Sequence, residues 1–189
     1  MKAPILKGEK IILKPLNLSQ AGNFVHWLKN KEVNKFLSAD QSNLNLKKEK
    51  EFIKKTNQSK NEIRWAIYTK YGVHIGGTGL QKIDKYNHFK AEWGIIIGDK
   101  NYWNKGLGTD VLKTILKFFF KNLKLNRLEL GVFPLNKGGL RCYEKCGFKF
   151  EGIKKQSFYK NGKFLDEIIM AITKNDYNKL NKKYVRRKK

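Results

Sequence analysis

Two kinds of hydrophobic spacing divide this chain. Strand-like runs, alternating or continuously apolar and bounded by turn residues, cover Lys10–Pro15, Ile63–Tyr68, His74–Ile83, Ala91–Gly98, Arg127–Phe133, Phe148–Tyr159 and Lys163–Ile172. Helix-like runs, with apolar residues returning every three to four positions, cover Leu18–Asn30, Leu46–Thr56, Gly106–Leu123, Lys137–Cys146 and Asn175–Tyr184. The predicted order is β-α-α-β-β-β-α-β-α-β-β, a mixed α+β layered structure. With no break in composition and no internal repeat, residues 1–184 are expected to form a single domain, followed by a basic tail at 185–189.

Local signals refine the picture. Asn17 or Ser19 caps the first helix, and Asn161-Gly162 is a strong hairpin turn. Gly76, Gly77 and Gly79 interrupt one strand and suggest a bulge or a close backbone approach. Glu49 and Glu51 on the second helix suggest a solvated face with some ion pairing. The polar stretch Lys31–Asn45 reads as an irregular loop of the kind that carries substrate preference.

Composition adds two constraints. No apolar run approaches the length of a membrane span, and the first residues lack the apolar core of a signal peptide, so a cytoplasmic protein with no membrane contact is expected. Forty-one Lys and Arg against sixteen Asp and Glu give a formal charge of +25. That excess suits an attraction to nucleic acid, ribosomes or acidic partners, yet its even spread also suits plain compositional bias. Cys142 and Cys146 are four apart on a helix, where disulfide geometry is seldom met. His26, His74 and His88 lie far from them, so no metal site is expected.

The candidate chemistry centres on Tyr102-Trp103-Asn104-Lys105-Gly106-Leu107-Gly108-Thr109. It joins a strand to a strongly apolar helix. Glycines at a helix N-terminus let the backbone approach a ligand closely, and the free N–H groups there favour a phosphate. Alone this signal is weak. Downstream stand Asn136 and, seven residues later, Tyr143-Glu144-Lys145-Cys146-Gly147-Phe148.

Together these two signatures resemble the GNAT N-acetyltransferase superfamily, and within it the ribosomal-protein N-terminal acetyltransferase-like (RimJ/RimL-type) group. The first resembles the superfamily's (Gln/Arg)-x-x-Gly-x-(Gly/Ala), with Trp103 in the first position. The second resembles Asn-x-x-(Ser/Ala)-x-x-x-Tyr-x-x-x-Gly-Phe, with Gly139 where serine or alanine is common. The resemblance implies the GNAT fold: a mixed central sheet with a splayed strand pair and helices on both faces, in three layers. It also implies acetyl-CoA as cosubstrate.

Roles follow from the same resemblance. The backbone of Trp103, Asn104, Lys105, Gly106, Leu107, Gly108 and Thr109 would hold the coenzyme's diphosphate. The N–H and C=O groups of Ile96, Ile97 and Gly98 would pair with its pantetheine arm. Asn136 would contact the pantetheine amide, although capping the short helix is an equally ordinary task for asparagine. Tyr143 is the candidate general acid, since a phenol with pKa about 10 keeps its proton at neutral pH and can give it to a leaving thiolate. Glu92 is the candidate base for the acceptor ammonium.

These expectations amount to an acetyl-CoA-dependent N-acetyltransferase whose acceptor is a primary amine, first of all a protein N-terminus such as that of a ribosomal protein. The alternative is a small-molecule amine: a polyamine, an aminoglycoside or an amino acid. Against the alternative stands the charge, because a strongly basic protein repels cations unless acidic residues cluster at the acceptor cleft. A third reading is a nucleic-acid or ribosome-binding protein with a vestigial coenzyme site. Monomer and homodimer are both compatible with the sequence.

Overall fold

The computed structural model describes residues 1–37 and 43–186. Part of the expected 31–45 loop and the last three residues of the expected tail lie outside these. Among the described residues eight strands form one sheet: β1 (Leu6–Lys7), β2 (Ile11–Pro15), β3 (Ile63–Thr69), β4 (His74–Asp84), β5 (Lys90–Ile97), β6 (Arg127–Val132), β7 (Lys149–Lys160) and β8 (Lys163–Thr173). Their spatial order is β1-β2-β3-β4-β5-β6-β8-β7. Neighbours run antiparallel except β5 and β6, which are parallel. The chain returns to a parallel neighbour by a crossover through a helix, as parallel strands require.

Helices cover both faces. On one face lie α1 (Ala21–Lys29), α2 (Lys31–Asn34) and α3 (Leu46–Gln58), burying Phe24, Trp27, Val33 and Ile53 with Ala66 of the sheet. On the other lie α4 (Leu107–Lys117), α5 (Lys137–Lys145) and α6 (Lys174–Arg186). The larger core fills this second face, with Val111, Leu112, Ile115 and Phe119 against Trp65, Leu80, Leu128 and Met170. Mixed sheet, both faces covered: the α+β class read from the periodicity is the class observed.

Several differences have physical causes. The first helix opens with a 3-10 turn whose cap, Asn17, forms a reciprocal capping box with Gln20. The helix expected to reach Leu123 passes after Lys117 into a π turn over Phe118–Asn122, accompanying three successive buried phenylalanines. Asn30, as N-cap, starts a short helix inside the stretch read as irregular. Glu49 is a correction: it is not on a solvated face but buried at 6% exposure, where desolvation raises its pKa. The last helix runs to Arg186, two residues into the expected tail.

Candidate active site

The sheet forks between β5 and β6. Their parallel register covers Lys90 with Arg127, Ala91 with Leu128 and Glu92 with Glu129, then stops although both strands continue. The gap lies beyond Glu92 and Glu129. Gly98 N–H donates to Ile75 O at 2.8 Å, and Asn126 N–H to Phe89 O at 2.7 Å. Backbone groups alternate sides along a strand, so these two bonds set the parity of β5. Residues 93, 95 and 97 turn their N–H and C=O toward the gap, while 94, 96 and 98 turn theirs to β4.

This parity divides the expected trio. Of Ile96, Ile97 and Gly98, Ile97 alone faces the gap, and its carbonyl already accepts the Trp103 indole N–H at 2.7 Å. Gly98 N–H is committed to Ile75. Trp93 and Ile95 were missed. The signal was present in the alternation of Ala91, Trp93, Ile95 and Ile97 as apolar positions, but parity toward a neighbour needs the partner strand.

At the end of β5 the chain makes a single turn (Lys100–Tyr102) and enters the glycine stretch. Asn104 and Gly106 both take left-handed backbone, with φ of 58° and 74°. Alternating hand curls successive N–H groups toward one side, the geometry of an anion nest. Gly106 is the N-cap of α4 and no side chain caps the helix, so the first-turn N–H groups of Leu107, Gly108 and Thr109 are free of side-chain caps, with the helix dipole behind them. Lys105 lies exposed with its ammonium 5.5 Å from the Tyr102 ring. The geometry of this cradle suits an anion.

Against that cradle packs α5. Asn136 caps it, its Oδ1 accepting Gly139 N–H at 2.9 Å, so the capping role is met and the amide NH2 is left for another partner. A Cβ on Gly139 would come within 2.8 Å of Asn136 Nδ2, which accounts for glycine where serine or alanine was expected. Tyr143 is buried at 9% exposure, edge-on to Trp93 with ring centroids 5.7 Å apart. Burial pushes its phenol pKa up, and charge on Cys142 adds to the shift. Trp93 Nε1 is, among the described residues, the buried side-chain polar atom that lacks a partner. Cys142 and Cys146 are free thiols. Cys142 Sγ lies 3.4 Å from Thr109 Oγ1 of the cradle, and its pKa is lowered, first by the hydrogen bond from Cys146.

The opposite face of the fork carries charge. Leu128, Leu130 and Val132 of β6 enter the large core, so Glu129 and Gly131 point the other way. By the same alternation Glu92 of β5 and Glu167 of β8 share that face. Glu92 Oε1 accepts Lys82 Nζ at 2.7 Å, and its other oxygen accepts Gln81 Nε2 at 3.2 Å. Glu129 accepts from Lys90 at 3.1 Å and Arg127 at 3.0 Å. Glu167 lies over Gly131: a Cβ there would sit 1.8 Å from Glu167 Oε1.

Beside Glu167 opens a small, open cleft lined by Phe36, Gly131, Val132, Phe133, Phe158 and Glu167. Phe133 and Phe158 meet edge-on at 5.4 Å. The wall bearing Phe36 is held to the β7–β8 hairpin by Lys160, whose ammonium donates to Asn34 O at 2.7 Å, to Asn34 Oδ1 at 3.0 Å and to Leu37 O. None of these cleft residues has a local sequence signature. Among the described residues no group of three or more His, Cys, Asp or Glu could hold a metal ion, and no helix is long and apolar enough to cross a membrane.

Known proteins resemble this chain in sequence and fold. A family model described as an acetyltransferase (GNAT) domain matches residues 10–149, ending short of the β7–β8 hairpin. The uncharacterized N-acetyltransferase YoaA of Bacillus subtilis is 27% identical over 178 residues, 90% of this chain and 97% of that protein. The spermidine N(1)-acetyltransferase of Escherichia coli is 35% identical over 101 residues, 52% of this chain and 54% of that protein. A crystal structure of spermidine N-acetyltransferase from Vibrio cholerae, in complex with CoA and spermine, superposes with a TM-score of 0.82 at 24% identity, covering 89% of this chain and 98% of that one. At that identity the likeness concerns the fold.

Proposed function

Since this chain belongs to the GNAT acetyltransferase family and is an acetyl-CoA-dependent N-acetyltransferase, we propose that its acceptor is a small cationic amine of the polyamine class. One observation carries this reading: in a chain of net charge +25, Glu92, Glu129 and Glu167 gather on one face of the fork. The three are close enough that Lys82 feels the charge of each. Glu92 and Glu129 are paired with Lys82, Lys90 and Arg127, so it is Glu167, in the lining of the cleft, that would let a basic protein attract a cation locally. The phenylalanine walls suit the methylene chain of a polyamine, and rings near an ammonium add cation–π attraction. Relatives named as spermidine acetyltransferases point the same way.

In this reading the diphosphate of acetyl-CoA lies on the N–H groups of residues 104–109, and the pantetheine arm runs along the gap-facing groups of Trp93, Ile95 and Ile97, with the Asn136 amide in reach of it. Once an amine attacks the thioester carbonyl, the C–S bond breaks and Tyr143 gives its proton to the departing thiolate. Glu92 stays engaged by Lys82 and Gln81 on the same face. Residues 1–184 act as one domain, in the cytoplasm.

Trp103 in the first loop position favours a second reading, the RimJ/RimL-type acetylation of a protein N-terminus, where the basic surface would meet a ribosome. A screen monitored by thiol release, with spermidine, spermine and peptides of varied N-terminal residue as acceptors, separates the two. Turnover of the polyamines is expected; turnover of peptides alone overturns the proposal.

A further inference from the structure

Three carboxylates share the acceptor face, and their hydrogen bonding sets one apart. Glu92 is engaged by Lys82 and Gln81 at 2.7 and 3.2 Å, and Glu129 by Lys90 and Arg127 at 3.1 and 3.0 Å. Each of these already has short charge-assisted partners and would have to lose them to serve an incoming ammonium. Glu167 accepts no hydrogen bond among the described residues. Its ion-pair partner, Lys154 Nζ, stands 3.7 Å away on a side chain 64% exposed, while the Glu167 side chain itself is only 16% exposed. Such a loose exposed pair is worth little, so Lys154 is easily displaced by a ligand cation. Of the three, Glu167 is also the one that lines the phenylalanine-walled cleft. Gly131 makes the placement feasible, because any side chain at that position would occupy the space of the carboxylate.

We propose that Glu167, seated over Gly131, is the residue that holds the acceptor's ammonium in the cleft and takes its proton, with Lys154 keeping the place of that ammonium in the free enzyme. The inference rests on the small-amine reading for its substrate class. The proton passes from R–NH3+ to a Glu167 oxygen, leaving R–NH2 with a free electron pair. That pair forms the C–N bond at the thioester carbonyl. The C–S bond breaks with its electrons on sulfur, and the thiolate takes the Tyr143 proton. The attacking nitrogen loses its second proton, which restores the phenol, and Glu167 releases the first to solvent. The sum is R–NH3+ plus acetyl-CoA giving R–NH–CO–CH3, CoA–SH and H+. Gly131 is a positioning residue in this scheme.

The test compares wild type, Glu167→Gln, Gly131→Ala and Glu92→Gln on spermidine and on an N-terminal peptide between pH 6.5 and 10, with acetyl-CoA affinity measured by calorimetry. Glu167→Gln is expected to raise KM for the amine about tenfold and to lower kcat roughly 100-fold at pH 7, the scale of a lost general base. The deficit should shrink toward pH 10, where more amine is already neutral. Acetyl-CoA affinity should stay within twofold of wild type, which shows that the variant is folded. Gly131→Ala should reproduce the raised KM and the alkaline rescue, an outcome that a merely structural glycine would not give. Wild type active only on the peptide removes the small-amine reading alone, because the same variants then decide Glu167 on the peptide. Glu167→Gln within twofold of wild type at every pH, a loss equal at all pH values, or a larger loss in Glu92→Gln overturns the assignment. Turnover of neither acceptor overturns both.

Discussion

The indole N–H of Trp103 donates to the carbonyl oxygen of Ile97 across 2.7 Å. The bond ties the first residue of the cradle to the last residue of the strand that faces the gap. It sets the spacing between the two stretches proposed above to hold the coenzyme.

Trp103→Phe keeps a ring and removes this donor. A hydrogen bond of this kind contributes about 1 kcal/mol net, so acetyl-CoA affinity should fall roughly fivefold by calorimetry. Turnover at saturating coenzyme should stay close to wild type. An unchanged affinity would show that the spacing is set by the backbone alone.

Tyr143→Phe should lower turnover roughly 100-fold, the usual scale for a lost general acid, with acetyl-CoA affinity within twofold of wild type. Burial raises the phenol above its ordinary value, so its proton is retained throughout an assay between pH 6 and 10. An alkaline limb in the wild-type rate profile would therefore belong to another group, and turnover unaffected by the substitution would remove Tyr143 from the chemistry.

Asp110, in the first turn of α4, accepts backbone N–H groups from Glu9, Lys10 and Ile11 at 3.1, 2.7 and 3.2 Å. It fastens the turn between β1 and β2 to α4. Asp110→Ala leaves the buried Ile11 N–H without its acceptor, at about 2 kcal/mol. A lowered Tm is expected in differential scanning calorimetry; a Tm within a degree of wild type would contradict it.

Glu49 tests the buried acid on α3. Its pKa is raised by desolvation, so the folded state prefers the protonated form. The associated stability is full below the unfolded value near 4.5 and is lost as pH rises through the folded value. Glu49→Gln should raise Tm at pH 7.5 and leave it nearly unchanged at pH 4. A lowered Tm at pH 7.5 would mean that the carboxylate is stabilised by a partner.

Cys142, whose thiol is held below its ordinary value by the hydrogen bond from Cys146, should be alkylated by iodoacetamide at pH 7.5 faster than an ordinary thiol. Its place against Thr109 predicts slower labelling when acetyl-CoA is bound. Cys146, buried and pushed upward, should remain unlabelled. Equal labelling of both thiols, followed by mass spectrometry, would contradict this.

The stretches proposed to hold the donor are legible in sequence because they are short and contiguous. Gly106 stands at a left-handed N-cap beyond the apolar run of β5, and Asn136 caps the helix that carries Tyr143 seven residues on. What the sequence withholds is parity and partnership. That Ile95 rather than Ile96 turns its backbone to the gap follows from bonds made by Gly98 and Phe89 to other segments. That Glu49 is buried depends on how α3 docks. The cleft is harder still. Phe36, Gly131, Phe158 and Glu167 come from separate elements that meet because β8 inserts between β6 and β7, and nothing near any of them announces the others.

The Lys160 clasp joins positions more than 120 apart in sequence and takes no part in the cradle. With the acceptor in the cleft, as proposed, the cleft's width is set by contacts separate from the stretch proposed to hold the acyl donor, and a change at the hairpin tip is expected to alter which amines enter without altering the donor side. Such a division lets a lineage diversify its substrates one surface residue at a time, without passing through a form that has lost its cosubstrate.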